Sequence, residues 1–221
     1  MGQRKRVDCF VDGFNLYHAV ANLGIAHLKW FDLRKLVSVF LDPAEHELGT
    51  VFYFSAYATW LPGPHARHQQ YVEAIKANGV RPVMGHFKAK DRVCRKCGTS
   101  YVAHEEKETD VNIALALING AYKDEFDEAF IVSRDSDLTP AVKMLLTEFP
   151  KKSIKMISPP NAGHSKEIAA LVGKKKLASI KKIHLERNLL PATVTDPDTG
   201  IVIARRPKSY DPPNIEVGSH G

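Results

Sequence analysis

Four aspartates stand where side chains can do chemistry. Asp12 ends the apolar run Val7–Val11, Asp135 and Asp137 follow the apolar run Glu128–Ser133, and Asp110 opens an apolar-periodic helix. Carboxylates from separate segments repel one another when gathered, and a cation or raised pKa values must relieve that repulsion. Hard divalent cations such as Mg²⁺ or Mn²⁺ take oxygen ligands and keep several waters, so two or more Asp shared with a phosphate suit them. Such a cation acidifies water enough for it to attack a phosphodiester and offsets the charge that builds on the leaving oxygen. Asn15, three residues beyond Asp12, could orient the water or a phosphate through its amide. Any one Asp after a strand can instead serve as an Asx turn or helix cap. That reading suits Asp110 best taken alone, and suits all four together poorly.

The elements that must position these residues alternate. Val7–Val11 reads as a buried strand, Asn15–Gly24 and Asp32–Leu41 as helices, and Thr50–Ala58 as a strand rich in aromatic and β-branched residues. A helix over His65–Asn78 is closed by Gly79, and a short strand Arg81–Phe87 follows. The helix from Glu108 to Tyr122, the strand Glu128–Ser133, a helix from Thr139, the strand Lys155–Ser158 and a helix capped by Ser165 complete the pattern. Alternation of this kind implies right-handed crossovers and a mainly parallel sheet covered on both faces. Strand ends and helix starts then gather at the carboxyl edge, where ligands bind.

Three segments in order, Val11-Asp12-Gly13-Phe14-Asn15, Glu106–Val111 and Val132-Ser133-Arg134-Asp135-Ser136-Asp137-Leu138, resemble the signature segments of NYN domains. These belong to the PIN-like nuclease superfamily, and the chain is most similar to its LabA-like bacterial branch. The resemblance runs from about Val7 to Leu171. It implies a PIN-like, Rossmann-like three-layer α/β sandwich with a mainly parallel central sheet of about five strands. It also implies Mg²⁺- or Mn²⁺-dependent hydrolysis of single-stranded or structured RNA, most simply as an endonuclease, and homodimers are frequent in the superfamily. Carried over residue by residue, the metal positions are Asp12, Asp110, Asp135 and Asp137, with Asn15 beside them. Two departures stand out. Arg134 occupies a position where the family has Gly, and the last helix turns into Lys174-Lys175-Lys176 where the family has an acidic residue. Arg134 and these lysines are therefore candidates for substrate contact. Glu106 and Glu108 flank the site with no assigned part.

Cys94-Arg-Lys-Cys97-Gly98 has the form of a zinc knuckle. A closed zinc site needs four ligands. His86, eight residues before Cys94, and His104, seven after Cys97, complete a set His86, Cys94, Cys97, His104 within the loop 86–104. A bare dithiol is the alternative; a redox pair fits worse, because the motif is not at a helix start. Zinc there would be structural, pinning the loop that leads to Asp110.

The chain carries 221 residues, a net charge of +6 and a pI near 9.1. Between His164 and Leu190 seven Lys or Arg face two Glu, a balance that favours polyanionic partners. No apolar run approaches the ~20 residues of a membrane span, the N-terminus lacks the form of a secretory signal or a myristoylation site, and three cysteines suit a reducing, cytoplasmic setting. One domain over 1–190 is expected, followed by an extended or partly disordered tail over 191–221. Competing functions are an inactive RNA-binding module of the same fold and a phosphatase-like α/β hydrolase. The latter lacks its second acid, because Phe14 stands where that acid belongs. No phosphate-cradling glycine loop and no Ser/His/Asp nucleophile pattern is present.

Overall fold

A computed structural model describes residues 3–213. Strand β1 (Lys5–Asp12) lies at the centre of the sheet. Its apolar run is buried on both faces, as a central parallel strand requires. Val7, Cys9 and Val11 point into one core, while Phe10 points into the other with Asp12 on its side of the pleat. β1 pairs in parallel with β2 (His46–Ala56) on one side and with β5 (Glu128–Val132) on the other. β3 (Val80–Val93), β4 (Ser100–Lys107), β6 (Ser153–Ser158) and β7 (Leu177–Ser179) complete seven strands in the order β4-β3-β2-β1-β5-β6-β7. Only the β3–β4 pair is antiparallel. The sheet is thus wider than the expected five strands by two: the polar stretch Lys88–Val93 and its return Ser100–Lys107 form a ladder that adds β4, and Leu177–Ser179 adds β7 beside β6.

Helices cover both faces. On one lie α1 (Gly13–Ala21), α2 (Leu33–Ser38) and α3 (Pro62–Ala77), which bury Leu16, Val20, Leu36, Val37 and Ile75 against Val51 and Phe130. On the other lie α4 (Thr109–Tyr122), α5 (Thr139–Glu148) and α6 (Lys166–Val172), which bury Ile113, Leu117, Val142, Leu145 and Ile168 against Phe54 and Ile131. Asp32 and Ser165 cap α2 and α6 through Lys35 N (3.0 Å) and Ile168 N (3.5 Å), as their types predict.

Residues 191–213 are not an extended tail. After α7 (Lys182–Glu186), β8 (Thr193–Thr195) and β9 (Val202–Arg205) form a small hairpin, and a 3-10 turn covers Lys208–Tyr210. Val194, Ala204 and Tyr210 join the core of the α1–α3 face. Trp30 Nε1 donates to Pro191 O at 2.8 Å, and Arg205 N donates to the side chain of Gln70 on α3 at 2.8 Å. Residues 214–221, the end of the expected tail, lie outside the described residues. Among the described residues no helix is long and apolar enough to cross a membrane.

Deleting everything after Leu190 should uncover three buried side chains and the indole of Trp30. At about 1.5–3 kcal/mol per buried side chain, the melting temperature should drop by roughly 10 °C or more. An unchanged melt of the truncated chain would show the hairpin to be peripheral.

Candidate active site at the carboxyl edge

Because β1 runs to β2 on one side and to β5 on the other, its carboxyl end lies at a switch point of the sheet, where ligands bind in open α/β folds. Asp12 occupies that end and is 4% exposed. Its Oδ1 accepts from Asn15 N at 2.9 Å, which caps α1, and its Oδ2 accepts from the buried Ser133 hydroxyl at 2.9 Å. Burial pushes the Asp12 carboxyl up, Asn15 and Ser133 counter that shift, and the charge of Asp135 adds to it. The Asn15 side chain also favours the ionised Asp12, so its effect in this structure falls on the neighbouring carboxylate. Gly13 follows because a Cβ there would collide with the Tyr53 ring and stand 2.7 Å from Phe54 O.

Ser133 also accepts from Asp135 N at 3.0 Å, and Asp135 in turn caps the 3-10 turn Ser136–Leu138 by accepting from Asp137 N at 3.0 Å. One hydroxyl therefore fixes Asp12 and the Asp135 backbone together. Sequence reading passed over Ser133, although it sits inside the segment that carries Asp135 and Asp137.

Asp110 does not cap its helix. Glu106 takes that part, accepting from Thr109 N at 3.1 Å and from the Thr109 hydroxyl. Glu108, just before α4, holds a left-handed φ of 76° that non-glycine residues seldom adopt, and its carboxylate lies 3.3 Å from His86. Asp110 is left facing the other acids. Burial first, then the charges of Asp135, Asp12, Glu106 and Asp137, push its carboxyl up to about 6. The structure thus brings Asp12, Asp110, Asp135 and Asp137 within mutual electrostatic reach and adds Glu106, while Glu108 turns towards His86.

No three His, Cys, Asp or Glu side chains among the described residues close on one point as a formed metal cage. The chemistry of the donor set still fits a hard divalent cation, because Mg²⁺ needs only one or two direct carboxylates and keeps water elsewhere.

The zinc candidates are spread along a hairpin instead. His104 pairs with Ala89, five residues from Cys94, and His86 pairs with Lys107. At the rise of a strand these histidines stand about 16 Å and 26 Å back from Cys94. His104 stacks flat on Trp60, with ring centroids 3.7 Å apart, which also makes Trp60 a packing residue. Cys94 and Cys97 remain paired at the hairpin tip, where Thr99 and then Cys94 hold the Cys97 thiol down to about 7.

The basic candidates divide. Arg134 is exposed beside Asp135, on a shallow groove shared with His164 and Ser165. Lys174–Lys176 precede β7 and so lie at the amino edge, across the sheet from the aspartates. Lys176 Nζ is 2.7 Å from Oε1 of the fully buried Glu128, at the start of β5. It compensates a buried charge and is not available to a phosphate at the carboxyl edge.

The NYN domain model matches residues 6–170 of the chain. The chain belongs to the NYN family. NYN domains are a PIN-like nuclease family, which accords with the acidic switch point. A curated relative, a 6-hydroxy-3-succinoylpyridine 3-monooxygenase of Pseudomonas putida, is 25% identical over 174 residues, 63% of this chain. The aligned part spans 55% of that relative's length. A crystal structure of a Vibrio parahaemolyticus protein of unknown function superposes with a TM-score of 0.56 at 18% identity, covering 86% of this chain and all of that one. That likeness shows the fold alone.

Asp110 supplies a stability prediction. Its carboxyl moves from 3.8 in the unfolded chain to about 6 in the fold. The folded state then binds a proton more tightly, and stability falls as pH rises between those values. Asp110→Asn should raise the melting temperature at pH 7.5 by about 2–4 °C, discounted for partial exposure, and change it little at pH 4. A variant that melts lower than the parent at pH 7.5 would rule out net repulsion at this position. Among the cysteines, Cys97 should alkylate first with iodoacetamide at pH 7 and buried Cys9 last. Equal labelling of all three would remove the thiolate at the hairpin tip.

Proposed function

We propose that this NYN domain is a metal-dependent ribonuclease that hydrolyses RNA phosphodiester bonds at the carboxyl edge of β1. The observation that carries the reading is the convergence of four aspartates from three segments, one of them raised towards neutrality by burial and then by the charges of the others. A Mg²⁺ or Mn²⁺ ion held by Asp12, Asp110, Asp135 and Asp137 would, when bound, acidify water and offset phosphate charge.

The protein's own groups supply the remainder. Ser133 and Asn15 favour the ionised form of Asp12 against its burial and fix the direction of its carboxylate. Asp110, its carboxyl raised to about 6 by burial and by the neighbouring acids, is a carboxylate whose charge a bound cation would relieve. Arg134 places a cation at the rim next to Asp135, where it can pair with a phosphate and set the register of the strand. An endonuclease is the simpler form, since the cleft is an open sheet edge.

A second reading, oxygenation of a hydroxylated pyridine, comes from the Pseudomonas putida relative and concerns a protein of which this chain spans little more than half. Turnover of 6-hydroxy-3-succinoylpyridine by the parent chain, undiminished in Asp12→Asn, would favour it.

The test of the main reading uses labelled RNA and single-stranded DNA with Mn²⁺ or Mg²⁺. The parent chain should cut RNA, and Asp12→Asn should lose about 100-fold or more of that rate. Cutting that survives both a chelator and the substitution would sink the proposal. Binding without cutting, by parent and variant alike, would make the domain an RNA-binding module.

A further inference from the structure

A cavity of about 110 Å³ opens beside the acidic cluster, on the α1–α3 face of the sheet. A single water needs about 10–15 Å³ by this measure, so the space suits a larger guest. Its walls are aromatic: Phe14, Tyr17, Phe31, Tyr53, Tyr71 and Tyr210. The rings at the mouth are open to solvent, Phe14 at 38% and Tyr17 at 41%, whereas Tyr53 and Tyr71 are buried. Exposed aromatic rings over a buried aromatic floor are the surfaces on which planar rings stack.

One polar atom of the wall is left over, behind the cavity surface. The Tyr71 hydroxyl is fully buried and has no hydrogen-bond partner among the described residues. An unpaired buried hydroxyl costs about 1–3 kcal/mol, and in a native fold it asks for a partner. Its neighbour Tyr53 is already engaged, with its hydroxyl 3.1 Å from His68 Nε2. Burial, and then the charge of His65, lower His68 to about 4, so at neutral pH the pair carries no charge. The floor of the chamber is therefore neutral. At its rim the charge is positive: Lys29 Nζ lies 5.5 Å from the Tyr17 ring centre and 5.7 Å from that of Tyr210, and Arg67 lines the wall.

The cavity and the acids share a boundary. Tyr53 packs on Gly13, the residue after Asp12, and Ser55 and Ala56 line the cavity from the end of β2, whose Phe54 is the β1 partner of Asp12. Asp12 faces one side of the sheet edge and Tyr53 the other.

We propose that this cavity seats one nucleobase of the RNA strand, stacked against the rings of Phe14 and Tyr17 at its mouth, with the basic rim meeting the backbone next to it. The proposal rests on the nuclease reading for its substrate, but base binding is measured apart from cleavage. The probes are AMP, CMP, GMP and UMP titrated into the full chain by calorimetry, with ribose 5-phosphate as the control that lacks a base.

At least one mononucleotide should bind the parent with a Kd on the order of 1 mM or tighter. Ribose 5-phosphate should bind at least tenfold more weakly. Ala58→Trp, which fills the cavity from a half-buried position on its wall, should weaken binding at least tenfold while the thermal melt stays near that of the parent. Tyr17→Leu removes one of the rings at the mouth and should weaken binding of the preferred base by about fivefold to tenfold, with the melt near that of the parent.

No mononucleotide binding, or binding that Ala58→Trp leaves intact, overturns the assignment. So does binding of 2-hydroxypyridine with no binding of any nucleotide, which would mark the cavity as a small-molecule site. If cleavage is absent while base binding behaves as described, the nuclease reading fails and the base site stands.

Discussion

An anion has to be kept where the fold makes anions costly. Asp12 is placed by the central strand at its carboxyl end, between the parallel neighbours β2 and β5, and that same centrality buries it. Two hydrogen bonds, from Asn15 N–H and the Ser133 hydroxyl, offset part of the desolvation. Everything else at the site is arranged around that compromise. Ser133 ends the strand next to β1, so the group that steadies Asp12 also sets where the chain turns to deliver Asp135. Glu106 caps α4 in place of Asp110, which frees Asp110 to face the other acids.

The opposite edge of the sheet handles the same difficulty in another way. Glu128 is 1% exposed at the start of β5, with Lys176 Nζ at 2.7 Å and His46 Nε2 at 3.4 Å. There the charge is compensated within the chain, and the edge is closed. At the carboxyl edge no cation of the described residues is paired with Asp12, Asp110, Asp135 or Asp137. The contrast between a neutralised edge and an acidic one gives the sheet its polarity and is the physical ground for seeking a cationic ligand at one end only.

The four aspartates were legible because each follows or precedes a long apolar run whose period is plain. The caps at Asp32 and Ser165 were legible for the same reason. β3 and β4 were harder: Lys88, Lys90 and Arg92 alternate in the second half of β3, where neither face is buried, so hydrophobic period says nothing about that half. The zinc set failed because an antiparallel ladder keeps residues apart that a loop would have let converge. Lys176 was misread because its partner lies 48 positions away, and a run of lysines looks alike whether or not one of them is spoken for. The β8–β9 hairpin has strands of three and four residues, too short for a pattern. The aromatic cavity draws its walls from β2, α1, α3 and the 3-10 turn near Tyr210, and no local signal links them.

The bond between Trp30 and Pro191 joins positions 161 apart. Around it the core of the α1–α3 face draws on Leu185, Leu190, Val194, Ala204 and Tyr210. During synthesis the opposite face has all its helices once α6 has emerged, since its core ends at Ile168. The face that carries the aromatic cavity has no such early closure. It stays open, with Trp30 and Tyr71 short of their packing partners, until nearly the last described residues leave the ribosome. The half of the molecule made first is therefore among the last to be finished.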